Sequence, residues 1–302
     1  MFVENAFAQG LEKKILKILV PRSTSSLPIL LLAKNDPING VDIQAESFIN
    51  HAQALTILFR GEVDLLLTGT SQGWQNRLNQ GPIVMINTGV WGVSYLIGKD
   101  PRIKSFSDLR GKRIALPFPG SPLDFQTRYI LLKEGLDPEK DLQIIYCPFS
   151  QAVPRLLLGQ IDAAPLPEPL ATRLVVEKGL LRLIDYKEAW AGVSEGEKKS
   201  PQVSLFSTES FIQTEKRIII ELVNQWRDAS KEVQENPGQA ALLFSDFLSM
   251  PVEIVRQAIG NTLYFVPTLE ENREMVILYF NEVQSLLPGK KQLLDNGFFF
   301  RP

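Results

Sequence analysis

The stretch Gly111–Leu136, GKRIALPFPGSPLDFQTRYILLKEGL, decides the fold. Lys112 to Leu116 has the apolar, branched character of a buried strand. Gly120-Ser121-Pro122 then supplies a turn, a hydroxyl N-cap and a proline at the first helical position. The segment therefore reads as strand, loop and helix. A helix starting at Pro122 directs free backbone N–H groups and the positive end of its dipole at whatever lies beyond the strand. That geometry suits a ligand without naming one.

The same grammar appears elsewhere in the chain. Lys14 to Val20 (KILKILV) predicts a strand, followed by the hydroxyl loop Ser23-Thr24-Ser25-Ser26 and an apolar run, Leu27 to Ala33, that begins a helix. Gln44 to Phe48 predicts a second strand, and Asn50 to Arg60 a helix presenting Ala52, Leu55 and Phe59 on one side. The turn Gly61-Glu62-Val63-Asp64 feeds a buried strand that ends at Thr68-Gly69-Thr70-Ser71. A helix over Gln72 to Asn79 and a strand over Ile83 to Asn87 complete this half. Past Leu136 the order recurs, with a strand at Leu142 to Tyr146, a helix at Ala152 to Leu158, and Gly159-Gln160-Ile161-Asp162 feeding a strand that ends at Pro165-Leu166-Pro167-Glu168-Pro169. Ser25 and Asp64 lie 39 residues apart and Ser121 and Asp162 lie 41 apart, so one α/β unit is written twice. Asp64 and Asp162 are expected to hold backbone amides at the strand entrances, away from the loop end. Glu188 to Ser200 reads as a polar connection, and Gln202 to Ser207 as a further strand. Helices follow over Glu215–Gln234, Gln239–Leu248, Pro251–Ile259 and Leu269–Leu287. The Phe298-Phe299-Phe300 tail is expected to pack on the surface.

Composition narrows the class. The 302 residues, 44% hydrophobic and 22% charged, suffice for two domains with separate cores. A net charge of −2 without a Lys/Arg run argues against nucleic acid or an anionic membrane as the main partner. One cysteine, Cys147, excludes an internal disulfide, and one histidine, His51, makes a His/Cys zinc site an unfit expectation; no metal or cofactor is implied. No window approaches the roughly 18 to 20 apolar residues of a membrane span. Ala6-Phe7-Ala8 before Gln9 fits the small-x-small pattern of a signal-peptidase site, so residues 1–10 are expected to be a leader remnant or an irregular tail.

In parallel α/β sheets the crevice lies at the carboxyl ends of the strands. The loops there are Ser23 to Ser26, Thr68 to Ser71, Pro119 to Ser121 and Pro165 to Glu168, with Arg22 as the single adjoining cation. Ser23, Thr24, Ser25, Thr68, Gly69, Thr70, Ser71, Gly120, Ser121 and Glu168 are thus the candidate ligand-binding residues. They could hold a small polar or anionic molecule through neutral hydrogen bonds and helix N-termini. Trp91, and Trp74, could stack on a flat ligand, although aromatic residues are more often core. A Ser/His/Asp or Cys/His arrangement would depend entirely on His51, which sits in an amphipathic helix segment. PFPGSP is neither a P-loop nor GxGxxG.

Phe106-Ser107-Asp108-Leu109-Arg110-Gly111-Lys112-Arg113-Ile114-Ala115, then Gly120-Ser121, Leu156-Leu157-Leu158-Gly159-Gln160-Ile161-Asp162-Ala163 and Glu168-Pro169 resemble the substrate-binding proteins of ABC importers. The group is the one that includes binders of nitrate, taurine, aliphatic sulfonates and thiamine-precursor pyrimidines. The resemblance implies a type 2 periplasmic-binding-protein fold, two α/β lobes joined by two crossover strands near Trp91–Gly98 and Gln202–Ser207, with the ligand between them. Residues 11–94 and 204–302 would form one lobe and residues 95–203 the other. It further implies a monomer that meets a small-molecule ligand and a membrane permease, outside the cytoplasm, with or without a lipid anchor, and closes by a hinge. Sulfonate, nitrate, bicarbonate, pyrimidine, flavin and aromatic acid are all open as ligands, and the scarcity of cations departs from the sulfonate and nitrate binders. The competing expectation is an enzyme on the same fold, in pyrimidine or menaquinone biosynthesis.

Overall fold

Short branched-apolar runs alternating with amphipathic segments produce strands that pair in parallel across intervening helices. The computed structural model of the chain describes residues 14–35, 37–286 and 296–302. The candidate leader lies outside them. The first half runs β1 (Lys14–Pro21), a 3-10 turn (Thr24–Ser26) continuing into α1 (Leu27–Leu32), β2 (Val41–Phe48), α2 (His51–Phe59), β3 (Leu65–Gly69), α3 (Thr70–Leu78) and β4 (Ile83–Gly92). Next come β5 (Ser94–Gly98), β6 (Arg113–Leu116), α4 (Pro122–Lys133), β7 (Gln143–Tyr146), α5 (Phe149–Leu157), β8 (Ala163–Pro167), α6 (Leu170–Lys178), β9 (Leu181–Asp185) and α7 (Tyr186–Val193). The chain ends with β10 (Val203–Thr208), α8 (Glu209–Thr214), α9 (Lys216–Glu235), α10 (Pro237–Leu248), α11 (Val252–Gly260), β11 (Leu263–Tyr264) and α12 (Leu269–Leu286).

The strands form two sheets, ordered β11-β4-β10-β3-β1-β2 and β7-β6-β8-β5-β9. In each, three strands run parallel (β2, β1, β3 and β7, β6, β8), and an antiparallel strand from a crossover segment follows, β10 in the first and β5 in the second. The repeat read from spacing is therefore a repeat of topology. The aspartates pin it: the Lys17 amide donates to Asp64 Oδ2 at 2.7 Å and the Arg113 amide to Asp162 Oδ2 at 2.8 Å, tying the first strand of each unit to the third. The same geometry gives opposite titration. Burial raises the Asp64 carboxyl, whereas hydrogen bonds from the Arg113 guanidinium lower that of Asp162.

Several expectations fail for identifiable reasons. Pro165 to Pro167 belong to β8 rather than to a loop. The Glu168 amide donates to Val93 O at 2.8 Å on the β5 side, so Pro165 and Pro167, which have no N–H, face β6, whose pairing with β8 ends at Ala163. Within Glu188–Ser200, predicted as a connection, the part to Val193 is α7, whose Trp190 is fully buried. The buried face of α2 carries Ala54 and Leu58, displaced from the predicted Ala52/Leu55/Phe59 stripe. The phenylalanine tail is core: Phe298, Phe299 and Phe300 are all buried, and the Phe300 amide donates to Met85 O at 2.8 Å beside β4. Each such ring contributes about 1.5–3 kcal/mol by burial.

Candidate functional site

The strand ends of the two sheets meet at α3 and α4. Ser71 Oγ and Gln75 Nε2, both on α3, donate to Gly120 O at 3.2 and 2.8 Å. A methyl group at Gly69 would sit 2.5 Å from Gln72 Oε1 and 3.2 Å from Pro122 Cγ, so glycine leaves room for the Gln72 side chain that caps α3 as well as for the approach of α4. Gly120 itself has φ +76°, the left-handed region in which glycine carries no Cβ penalty. The predicted loops 68–71 and 120–121 are thus brought together.

The other pair is joined through the residues that follow α11. Thr262 donates to Ala258 O, so Thr24 Oγ1 donates to Thr262 Oγ1 at 2.9 Å, and Tyr264 OH donates to Thr24 O at 2.8 Å. The neighbouring Asn261 receives Tyr95 OH at 2.8 Å and donates to Thr172 Oγ1 at 3.2 Å. Thr172 in turn bonds Glu168 through its amide and hydroxyl at 3.0 and 2.9 Å.

Glu168 is fully buried, and both oxygens are engaged, Oε1 also by Arg182 Nη2 at 2.7 Å. Burial raises its carboxyl and the Arg182 and Thr172 contacts only partly offset this. It closes the start of α6 instead of projecting as a free ligand group, a correction to its predicted role. Arg182, on β9, also lies 4.7 Å over the Tyr95 ring. The expectation of Arg22 as the sole cation near these loops is corrected too. Arg22 is exposed, while Arg182 pairs with Glu168 and Arg128 with Asp124 at 2.8 Å.

The α4 terminus from which the sequence reading began is already supplied with an acid. Ser121 Oγ accepts from the Asp124 amide at 3.1 Å, as predicted for an N-cap, and Asp124 Oδ2 accepts from the Gly120 amide at 2.7 Å. Asp124 Oδ1 receives Arg128 Nε and Tyr146 OH, both at 2.8 Å. This carboxylate competes for the place an anionic ligand would take.

At α3, Gln72 Oε1 accepts from the Gly69 amide and from Thr68 Oγ1, both at 3.0 Å. Since Thr68 spends its single proton there, His51 Nδ1, 2.8 Å away, donates to it. Burial lowers the His51 pKa. The histidine is thus a support beneath the β3–α3 corner, a role that helix periodicity could not reveal. Thr70 Oγ1 is spent on Ser204 Oγ at 2.7 Å. What is left unspent is the Ser25 hydroxyl, only 2% exposed and without a hydrogen bond to a described residue, the Ser121 proton, and the Ser71 and Gln72 amides, which have no intrahelical acceptor. Ser23 is partly exposed beside them.

Trp91 and Trp74 do not join the site. Trp91 is fully buried and donates Nε1 to Phe265 O at 2.8 Å; Trp74 stacks on Phe280 with centroids 4.3 Å apart. Among the described residues, no group of three or more His, Cys, Asp or Glu is placed to hold a metal ion, and no helix is long and apolar enough to cross a membrane.

With this geometry in place, the sequence profile of the NMT1-like family matches residues 80–244, more than half of the chain. The chain belongs to the NMT1-like family. The nitrate/nitrite binding protein NrtA of Synechococcus elongatus is 32% identical over 127 residues, 38% of this chain and 29% of the relative's length. The fold is that of the periplasmic aliphatic sulphonate binding protein SsuA of Escherichia coli (TM-score 0.74, 17% identity, 90% of this chain and 91% of that one). The periplasmic nitrate-binding protein NrtA of Synechocystis PCC 6803 is also similar (TM-score 0.64, 15% identity, 85% and 74%). The two-lobed α/β architecture expected from the sequence is thus the architecture of this NMT1-like protein.

Proposed function

We propose that this chain is the extracytoplasmic solute-binding protein of an ABC importer, not an enzyme. It takes a small polar or anionic organic molecule or an oxyanion between lobes formed by residues 11–94 with 204–302 and by residues 95–203, and it presents the closed form to a permease. The observation that carries this reading is the direct meeting of α3 and α4, from different sheets, around unspent donors at Ser71, Gln72 and Ser121. Donors without an adjacent nucleophile and base hold a molecule and do not transform it. The family match and the nitrate/nitrite-binding relative support the same role. Because Arg128 and Arg182 are matched by Asp124 and Glu168, the walls are electrically balanced, which favours a neutral or singly charged ligand. Closure follows ligand only to the extent that the ligand binds the closed state better.

A thermal-shift screen of the purified chain against nitrate, alkanesulfonates, bicarbonate, pyrimidines, flavins and aromatic acids tests the reading. One class should raise the melting temperature in a saturable way, and Ser25→Ala together with Ser121→Ala should reduce the shift. Stabilisation by no class, accompanied by turnover of any of them, overturns it.

A further inference from the structure

Gln72 is the third residue of α3, and its side chain folds back over the start of the helix, where Oε1 accepts from the Gly69 amide and from Thr68 Oγ1, both at 3.0 Å. A glutamine that returns in this way to the amide preceding its helix is half of a capping box. Capping accounts for the oxygen and leaves the nitrogen. Gln72 is half-buried, and its Nε2 keeps accessible surface and has no hydrogen bond to a described residue.

The orientation of this carboxamide follows from its partners. Oxygen and NH2 have the same outline, but the Gly69 N–H can only donate, so the atom facing it is the oxygen. Thr68 gives its single proton to the same oxygen, and His51 Nδ1, 2.8 Å from Thr68 Oγ1, supplies the donor that holds the hydroxyl in that sense. A chain of one polarity thus runs from His51 through Thr68 to Gln72 and ends in two N–H groups without an acceptor. Those groups stand where the two sheets meet. A methyl group built on Gly69 would lie 3.3 Å from Gln72 Cδ and 3.2 Å from Pro122 Cγ, so the carboxamide and the first turn of α4 sit on the same side of Gly69, in the seam between α3 and α4. Ser121, next to Pro122 and buried, has its own proton unspent.

We propose that Gln72 is a ligand-contacting, specificity-determining residue of the crevice, its side-chain amide donating to an oxygen of the bound molecule, and that His51 is its positioning residue. Resting on the solute-binding role proposed above, this assignment adds a polarity to the site. The corner offers protons and takes none, so it accepts a carbonyl or oxyanion oxygen and turns away a head group that is itself a donor.

Gln72→Glu separates contact from capping. The carboxylate keeps one oxygen toward Gly69 and Thr68, now with charge assistance and in the first turn of a helix, so the melting temperature should hold or rise. Its second oxygen replaces the NH2 group, and binding of an oxyanion should weaken at least about tenfold. Nitrate and methanesulfonate, titrated into the full chain and followed by NMR, are the probes; at least one should move the Gln72 side-chain amide signals saturably. His51 is the single histidine, so its ring nitrogens are read without ambiguity, and the proton is expected on Nδ1. His51→Asn, whose Nδ2 takes the place of Nδ1, should keep the affinity that His51→Leu lowers. Four results overturn the proposal: neither probe moving the Gln72 side-chain amide, binding that survives Gln72→Glu, a histidine proton on Nε2 alone, or equal affinity in the two His51 variants. The second of these leaves the crevice reading intact, whereas a chain that binds no class of the screen fails both.

Discussion

The Gln75–Gly120 hydrogen bond spans the two sheets, and its removal by Gln75→Ala has a calculable effect. A neutral hydrogen bond contributes about 0.5–1.5 kcal/mol net. Gly120 O keeps Ser71 Oγ at 3.2 Å, so its carbonyl is not orphaned and the lower half of that range applies. For the hinge closure proposed above, at about 1.4 kcal/mol per tenfold, the open-to-closed ratio should rise about two- to fivefold. Ligand affinity should fall by up to the same factor, since a binding-competent state that is less populated weakens apparent binding in proportion. Spin labels at Ile49, 92% exposed, and Phe118, 38% exposed, read the separation of the two halves by double electron–electron resonance in a Cys147→Ala background. The longer-distance population should grow in the variant while stability to urea changes by less than about 0.5 kcal/mol. An unchanged distance distribution combined with lowered urea stability would refute the reasoning, because the bond would then hold the fold and not the closed state.

Other perturbations follow from the same contacts. Glu168→Gln leaves the Arg182 guanidinium without its counter-ion beside a buried amide; breaking a buried pair costs about 3–5 kcal/mol, readable as a lower urea midpoint, and an unchanged midpoint would show that the pair is dispensable. Asp162 has a lowered folded pKa, so its stabilising contribution is present above its unfolded pKa and is lost as pH falls through the lower folded value. Asp162→Asn should therefore destabilise the chain at neutral pH and converge with the native sequence at acid pH, measured by melting temperature across that range. Ser121→Ala should cost about 1 kcal/mol through the lost N-cap and should weaken whichever ligand the screen identifies; unaltered affinity would remove Ser121 from the site.

The features legible in the sequence are those satisfied locally or by a repeated pattern. The Ser121 cap, the hydroxyl turn at Thr24–Ser26 and the two aspartate pins sit within a few residues of what they bond or recur at matched spacing, so their pattern carries the information. The misread features depend on partners far along the chain. Glu168 looked free between its prolines because Arg182 and Asn261 reach its cluster from other elements; Trp91 looked available because Phe265, 174 residues away, is what covers it. The same holds for the tail phenylalanines, which pack beside Met85. Gln75, Gln126 and Gln202 carry no motif at all. Gln202 Nε2 donates to Gln126 Oε1 at 3.0 Å, and its backbone carbonyl accepts from Thr70. Nothing short of the assembled crossover places these groups together.

The central claim is that the crevice holds a small molecule and returns it unchanged. Native mass spectrometry of the chain incubated with the most stabilising compound of the screen, followed by recovery of the bound material, measures this directly. The expected result is one molecule per chain with its original mass. Recovery of a product of altered mass, formed in proportion to the protein, would contradict it.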